Sequence, residues 1–245
     1  MKDPLLEIPR ELDPSFFVWR DEEENIAWPT DAAGIKAFTG QTLLIGVGGG
    51  KYDQKGLALA SRQDLKGLCI DGRNIPQPLI DAAGEIQGLE HIHLGFIGHR
   101  SLLPLAKLAK LKSLYFEGVK GLQKLSIHNM TELRSVLISG DTDAVSSLLR
   151  EGNPNVRYLT LGGTISANLK LPDLELLQRF PSIEYLVLLD VSVKSRSLEP
   201  CLPLRQLRRV VVNFSRSWRR ESIAALKESG VSVRCRMDEI RSQIG

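Results

Sequence analysis

With 245 residues, 42% of them hydrophobic and 25% charged, the chain has ample apolar material for a packed core and is too apolar for extended disorder. Its 32 basic and 29 acidic side chains leave a net charge of +3, which gives no general drive toward nucleic acid or membrane surfaces. Cys69, Cys201 and Cys235 are odd in number and widely spaced; they form neither a metal-ligand spacing nor a disulfide framework and fit a reducing cytoplasm.

Residues 1–39 carry four basic and nine acidic side chains, the aromatic stretch Phe16-Phe17-Val18-Trp19, the acidic run Asp21-Glu22-Glu23-Glu24, and Trp28-Pro29. They do not repeat and read as an N-terminal cap. The first residues lack the apolar stretch of a signal peptide, and no apolar run in the chain approaches the ~20 residues that span a bilayer. The glycine-rich Gly46-Val47-Gly48-Gly49-Gly50-Lys51 has Ile45 where a phosphate-binding loop needs its first Gly and Tyr52 where it needs Ser or Thr. A tight turn beside the cap is the expectation there.

From residue 40 the unit apolar-x-x-apolar-x-apolar recurs. A degenerate copy, Gly40-Gln41-Thr42-Leu43-Leu44-Ile45, leads to Leu65–Ile70, Leu89–Leu94, Leu111–Phe116, Leu133–Ile138, Val156–Leu161, Ile183–Leu188 and Leu207–Val212. Val231-Ser232-Val233 ends the series. Between the copies lie segments with helical spacing at 78–83, 102–108, 143–149, 173–177 and 221–226. Side chains alternate faces along a strand. The fourth and sixth positions of each unit therefore form a core of Leu68, Ile70, Ile92, Leu94, Leu114, Phe116, Val136, Ile138, Leu159, Leu161, Leu186 and Leu188.

Leu122–Ile127 also fits the unit, but it lies 11 residues from the copies on either side. Parallel neighbours need a crossover of about a dozen residues. Residues 122–127 are therefore expected on the convex side, with Leu133–Ile138 pairing directly with Leu111–Phe116 and His128 off the opposite face.

Repeats at such spacing resemble the leucine-rich repeat family, over roughly residues 40–235. The resemblance implies an α/β solenoid: a curved parallel sheet on the concave side, short helices and extended segments on the convex side. The Asn that closes the family's motif is mostly missing. Gly72, Gly98, Gly118, Gly140 and Gly163 mark the turn instead. The expected organisation is a cap at 1–39, a solenoid at 40–235 and a tail at 236–245.

The third and fifth positions of each unit face the concave side. They give a central column of Leu44, Cys69, His93, Tyr115, Leu137, Thr160, Val187 and Val211. The flanking column is Thr42, Gly67, His91, Ser113, Ser135, Tyr158, Tyr185 and Arg209. These positions are expected to be exposed, and a contiguous apolar and aromatic patch marks an interaction site. The expected function is non-catalytic protein binding through this face, in the class of inhibitors, adaptors and toxin-neutralising immunity proteins. Asp71, His91, His93, Tyr115, Glu117, Leu137, Tyr158, Tyr185 and Arg209 are the candidate partner-binding residues, with Tyr115 at the centre. The chain is read as no enzyme and as needing no cofactor or metal. A cytoplasmic monomer with a protein partner is expected, rather than one bound to membrane or nucleic acid.

Two other functions are compatible with the residues. His91, His93 and Glu117, with Cys69 on the preceding strand, offer metal-ligand types on neighbouring strands, which would suit a metal-dependent enzyme. Residues 194–245 carry twelve basic and five acidic side chains. Arg208, Arg209, Arg216, Arg219 and Arg220 interleave there with Phe214 and Trp218, a composition compatible with nucleic-acid binding or a second docking surface.

Overall fold

The computed structural model describes residues 63–235, apart from 73, 165 and 166, together with the strands Ile35–Thr39 and Thr42–Val47. Residues 1–34 of the expected cap at 1–39, the aromatic and acidic runs within them, the glycines at 48–50 and the tail at 236–245 lie outside the described residues.

Ten strands form one sheet among the described residues. β1 (Ile35–Thr39) pairs antiparallel with β2 (Thr42–Val47). All later pairings in this sheet are parallel: β3 (Gly67–Gly72), β4 (His91–Leu94), β5 (Ser113–Val119), β6 (Ser135–Gly140), β7 (Tyr158–Gly162), then β9 (Tyr185–Leu189), β11 (Arg209–Val212) and β12 (Ser232–Cys235). Three-residue strands β8 (Leu169–Leu171) and β10 (Val191–Val193) pair with each other in a separate parallel ladder. The chain thus folds as an α/β solenoid with one strand of a parallel sheet per repeat, the architecture that the leucine-rich-repeat resemblance implies.

The twelve side chains assigned to the core from the hexad pattern are each 0–1% exposed. They join one hydrophobic cluster with the convex side chains, including Leu79, Leu105, Val145, Leu177 and Leu226. β5 pairs directly with β6, Leu114 opposite Val136 and Phe116 opposite Ile138, so 122–127 stays out of the sheet. Leu125 and Ile127 are buried beneath the convex side, while His128 is exposed.

Three convex segments are α-helices: α1 (Gln77–Gly84), α2 (Thr142–Leu148) and α3 (Arg220–Glu228). The segments at 102–108 and 173–177 form short 3₁₀ segments instead, Leu103–Lys107 and Glu175–Arg179. Asp141 caps α2 by accepting from Ala144 N at 2.8 Å and also accepts from Gly121 N at 2.9 Å, tying the helix start to the preceding repeat.

The backbone at each strand entrance repeats one device. The carbonyl of the second hexad residue accepts two bonds from the next repeat: Glu90 O from Lys112 N (2.7 Å) and Ser113 N (3.1 Å), Arg157 O from Glu184 N (2.8 Å) and Tyr185 N (3.0 Å). Asn153, fully buried, donates to Ile127 O (2.7 Å) and Met130 O (3.0 Å), satisfying carbonyls of the extended convex segment.

The marker glycines act in two ways. Gly118 has φ 59°, a left-handed conformation. Gly140 is needed for space: a Cβ there would lie 2.4 Å from the Val119 carbonyl oxygen.

Candidate functional site: the concave face and its cleft

Strand register places the two columns as the hexads specify. Cys69 stands opposite His93, His93 opposite Tyr115, Tyr115 opposite Leu137, and Leu137 opposite Thr160; Val187 and Val211 continue the row. Gly67, His91, Ser113, Ser135, Tyr158, Tyr185 and Arg209 form the parallel row.

The expected exposure of these columns does not hold for most of them. Cys69 is 0% exposed, Val211 2%, Tyr158 3% and His93 4%; His91, Ser113, Ser135, Thr160 and Val187 are also buried. Large side chains on strands ~4.8 Å apart lean over smaller ones. The Tyr115 ring lies 4.1 Å from that of His93. Tyr158 accepts at its hydroxyl from Thr160 Oγ1 (2.9 Å), so its ring lies along its own strand. Tyr158, Val187 and Val211 form a second hydrophobic cluster, against which Tyr185 and Leu189 pack. Tyr158 is thus a packing residue and not the exposed one expected. Tyr115, Glu117, Leu137, Tyr185 and Arg209 keep intermediate exposure, as does Asp71.

The histidine group is electrically quiet. His93 Nδ1 lies 3.4 Å from Cys69 Sγ, and His91 Nδ1 lies 2.7 Å from Ser113 Oγ. Burial lowers His91 to a pKa of about 4 and His93 to about 3. Burial, then the charges of Asp71 and Glu117, push the Cys69 thiol well above its ordinary value. A nucleophilic cysteine needs its thiolate, and these surroundings favour the neutral thiol beside a neutral imidazole. The phenol of Tyr115 is raised as well, by burial and by Glu117, to whose Oε1 it donates at 2.7 Å. Among the described residues no group of three or more His, Cys, Asp or Glu is placed to hold a metal ion.

A cleft of about 310 Å³ opens where the central column meets the strand ends. Phe96, Tyr115, Leu137 and Leu189 give it apolar walls, with Thr160 and Ser139 between them, while Glu117 and Asp190 supply carboxylates. Tyr115, Glu117 and Leu137 from the sequence-derived set meet here. Tyr158 and Tyr185 lie in the flanking row, and His91 and His93 are buried on β4. Phe96, Leu189 and Asp190 were not singled out by sequence, because they follow the hexad and no periodicity marks them. Asp190 has φ 53°, uncommon for a residue other than Gly, and accepts from Asn213 Nδ2 at 2.7 Å.

At the opposite end of the strands, the second hexad positions form a charged row that sequence reading also missed: Lys66, Glu90, Lys112, Arg134, Arg157, Glu184 and Arg208. Glu90 bridges Lys66 (3.2 Å) and Lys112 (2.5 Å), which lowers its pKa, chiefly through the Lys112 hydrogen bond. Glu184 bridges Arg157 (2.6 Å) and Arg208 (3.5 Å). Both glutamates are neutralised by two cations each. In the basic C-terminal region, Arg208 is held in that bridge, and the Arg216 guanidinium lies 4.9 Å from the centroid of the Phe214 ring.

No family model matches the sequence, and no curated protein matches it. Among solved structures, internalin C2 of Listeria monocytogenes is similar at 16% identity and TM-score 0.44, over 72% of this chain and 74% of its own. An internalin, InlF, of the same organism is similar at 15% identity and TM-score 0.42, over 80% of this chain and 66% of its own. No helix among the described residues is long and apolar enough to cross a membrane.

Proposed function

We propose that the protein binds another protein through the concave face, without catalysis, as an inhibitor, adaptor or immunity protein would. The observation that carries this reading is the cleft around Tyr115 and Leu137. Its wall residue Leu189 and the neighbouring Tyr185 keep intermediate exposure and pack on the buried cluster of Tyr158, Val187 and Val211, which holds them from beneath. Such surface on a rigid sheet suits a pre-formed docking site. Tyr115, Leu137 and Tyr185 would make the central contacts, Asp71, Glu117 and Arg209 would set orientation, and His91, His93 and Tyr158 would support them from below. The neutral Cys69–His93 pair argues against an enzyme built on this group.

Site-specific photocrosslinking in cells of the source organism tests the reading. A photoreactive side chain at Leu137 should yield one discrete adduct with another protein. The same group at Leu122, which is 74% exposed on the convex side, should not. Equal adducts from both positions, or an adduct from position 122 alone, would count against the concave face.

A further inference from the structure

The cleft combines apolar walls with carboxylates that no Lys or Arg pairs with among the described residues. Glu117 is half-buried, and its hydrogen bond comes from the neutral Tyr115 hydroxyl. Asp190 accepts from the neutral amide of Asn213. Asp71 stands close enough to Glu117 that its charge helps burial raise the Glu117 pKa. Among the described residues no Lys or Arg forms an ion pair with Asp71, Glu117 or Asp190. This contrasts with Glu90 and Glu184 at the other end of the strands, each bridged by two cations. The face is therefore polarised: a basic row at the strand entrances and uncompensated carboxylates at the exits.

Any partner that covers the cleft dehydrates these carboxylates. An apolar plug would leave Glu117 and Asp190 buried without compensation, a costly outcome. An anionic group would add repulsion. A long side chain with an aliphatic stem and a cationic head satisfies both the walls and the carboxylates.

We propose that the cleft receives one arginine or lysine side chain of the protein partner. Its stem packs between Tyr115, Leu137 and Leu189, and its head lies between Glu117 and Asp190. This rests on the concave face being the docking surface.

Random peptides displayed on phage and selected on the full chain test it. Selected peptides are synthesised, and their affinities are read by fluorescence anisotropy. The targets are the wild type, the double variant Glu117→Gln/Asp190→Asn, and Leu137→Glu, which blocks the cleft. The double variant keeps the oxygens that accept from Tyr115 and Asn213, and asparagine tolerates a positive φ, so its melting temperature should match the wild type. The expected result is peptides with a recurrent Arg or Lys beside apolar residues. Replacing that residue by norleucine should weaken binding at least tenfold, as should the double variant, and the identity of the selected cation distinguishes arginine from lysine. Peptides lost on Leu137→Glu but bound normally by the double variant would overturn the cationic anchor and leave the concave-face reading standing. Peptides indifferent to Leu137→Glu, or a selection that yields no binder, would overturn both.

Discussion

His93 Nδ1 lies 3.4 Å from Cys69 Sγ on the adjacent strand, and burial favours the neutral form of both groups. Stability should therefore depend on pH. The unfolded chain binds protons on its imidazoles near pH 6.5, whereas folded His91 and His93 resist protonation down to about 4 and 3. Their contribution is fully present above pH 6.5 and is lost as the pH falls toward 4 and then 3, at about 1.4 kcal/mol per pH unit for each imidazole. Glu117, whose pKa is raised, has the opposite sign and offsets part of the loss near the ordinary carboxylate range. Urea midpoints measured at pH 7.5 and pH 5 should show a clear drop, and His93→Gln should flatten it. Equal midpoints at the two pH values would mean the histidines are not buried in neutral form.

Gly140 packs against the Val119 carbonyl where the ends of the parallel strands β5 and β6 pair. Gly140→Ala should lower stability by about 1–3 kcal/mol, since the clash is with backbone and the strand ends must shift. Chemical denaturation reads this directly. A variant as stable as the wild type would show that the strand ends relax freely.

Leu114→Ala and Leu159→Ala remove side chains that are fully buried in the main core and should each cost about 2–5 kcal/mol. Tyr158→Ala should also lower stability, because the ring belongs to the second cluster and accepts from Thr160. The sequence expectation of an exposed tyrosine at this position implies little change in stability. A Tyr158→Ala melting temperature equal to wild type would restore that expectation.

The repeat register was legible because side-chain alternation has period two and the hexads agree with one another. Both concave columns follow residue for residue, from Thr42 opposite Gly67 to Val187 opposite Val211. The place of 122–127 followed from crossover length alone. Burial on the concave side was not legible, since periodicity assigns a face but not what neighbouring strands lay over it; His93 beneath Tyr115 is an example. The cleft stayed hidden because Phe96, Leu189 and Asp190 belong to strand exits, where the pattern has ended. The charged row could have been found by aligning the second position of every hexad, where Lys66, Glu90, Lys112, Arg134, Arg157, Glu184 and Arg208 fall in line.

Calorimetric titration of the photocrosslinked partner, once identified, against Leu137→Asp and against Arg219→Glu/Arg220→Glu tests the central claim most directly. Leu137 is half-exposed at the cleft, whereas Arg219 precedes α3 at the basic end. The concave-face account predicts that Leu137→Asp weakens binding by roughly 2 kcal/mol or more, with the fold retained by circular dichroism. The arginine pair should bind within a few-fold of the wild type. Normal binding by Leu137→Asp together with lost binding by the arginine pair would contradict the account and place the partner on the basic C-terminal end.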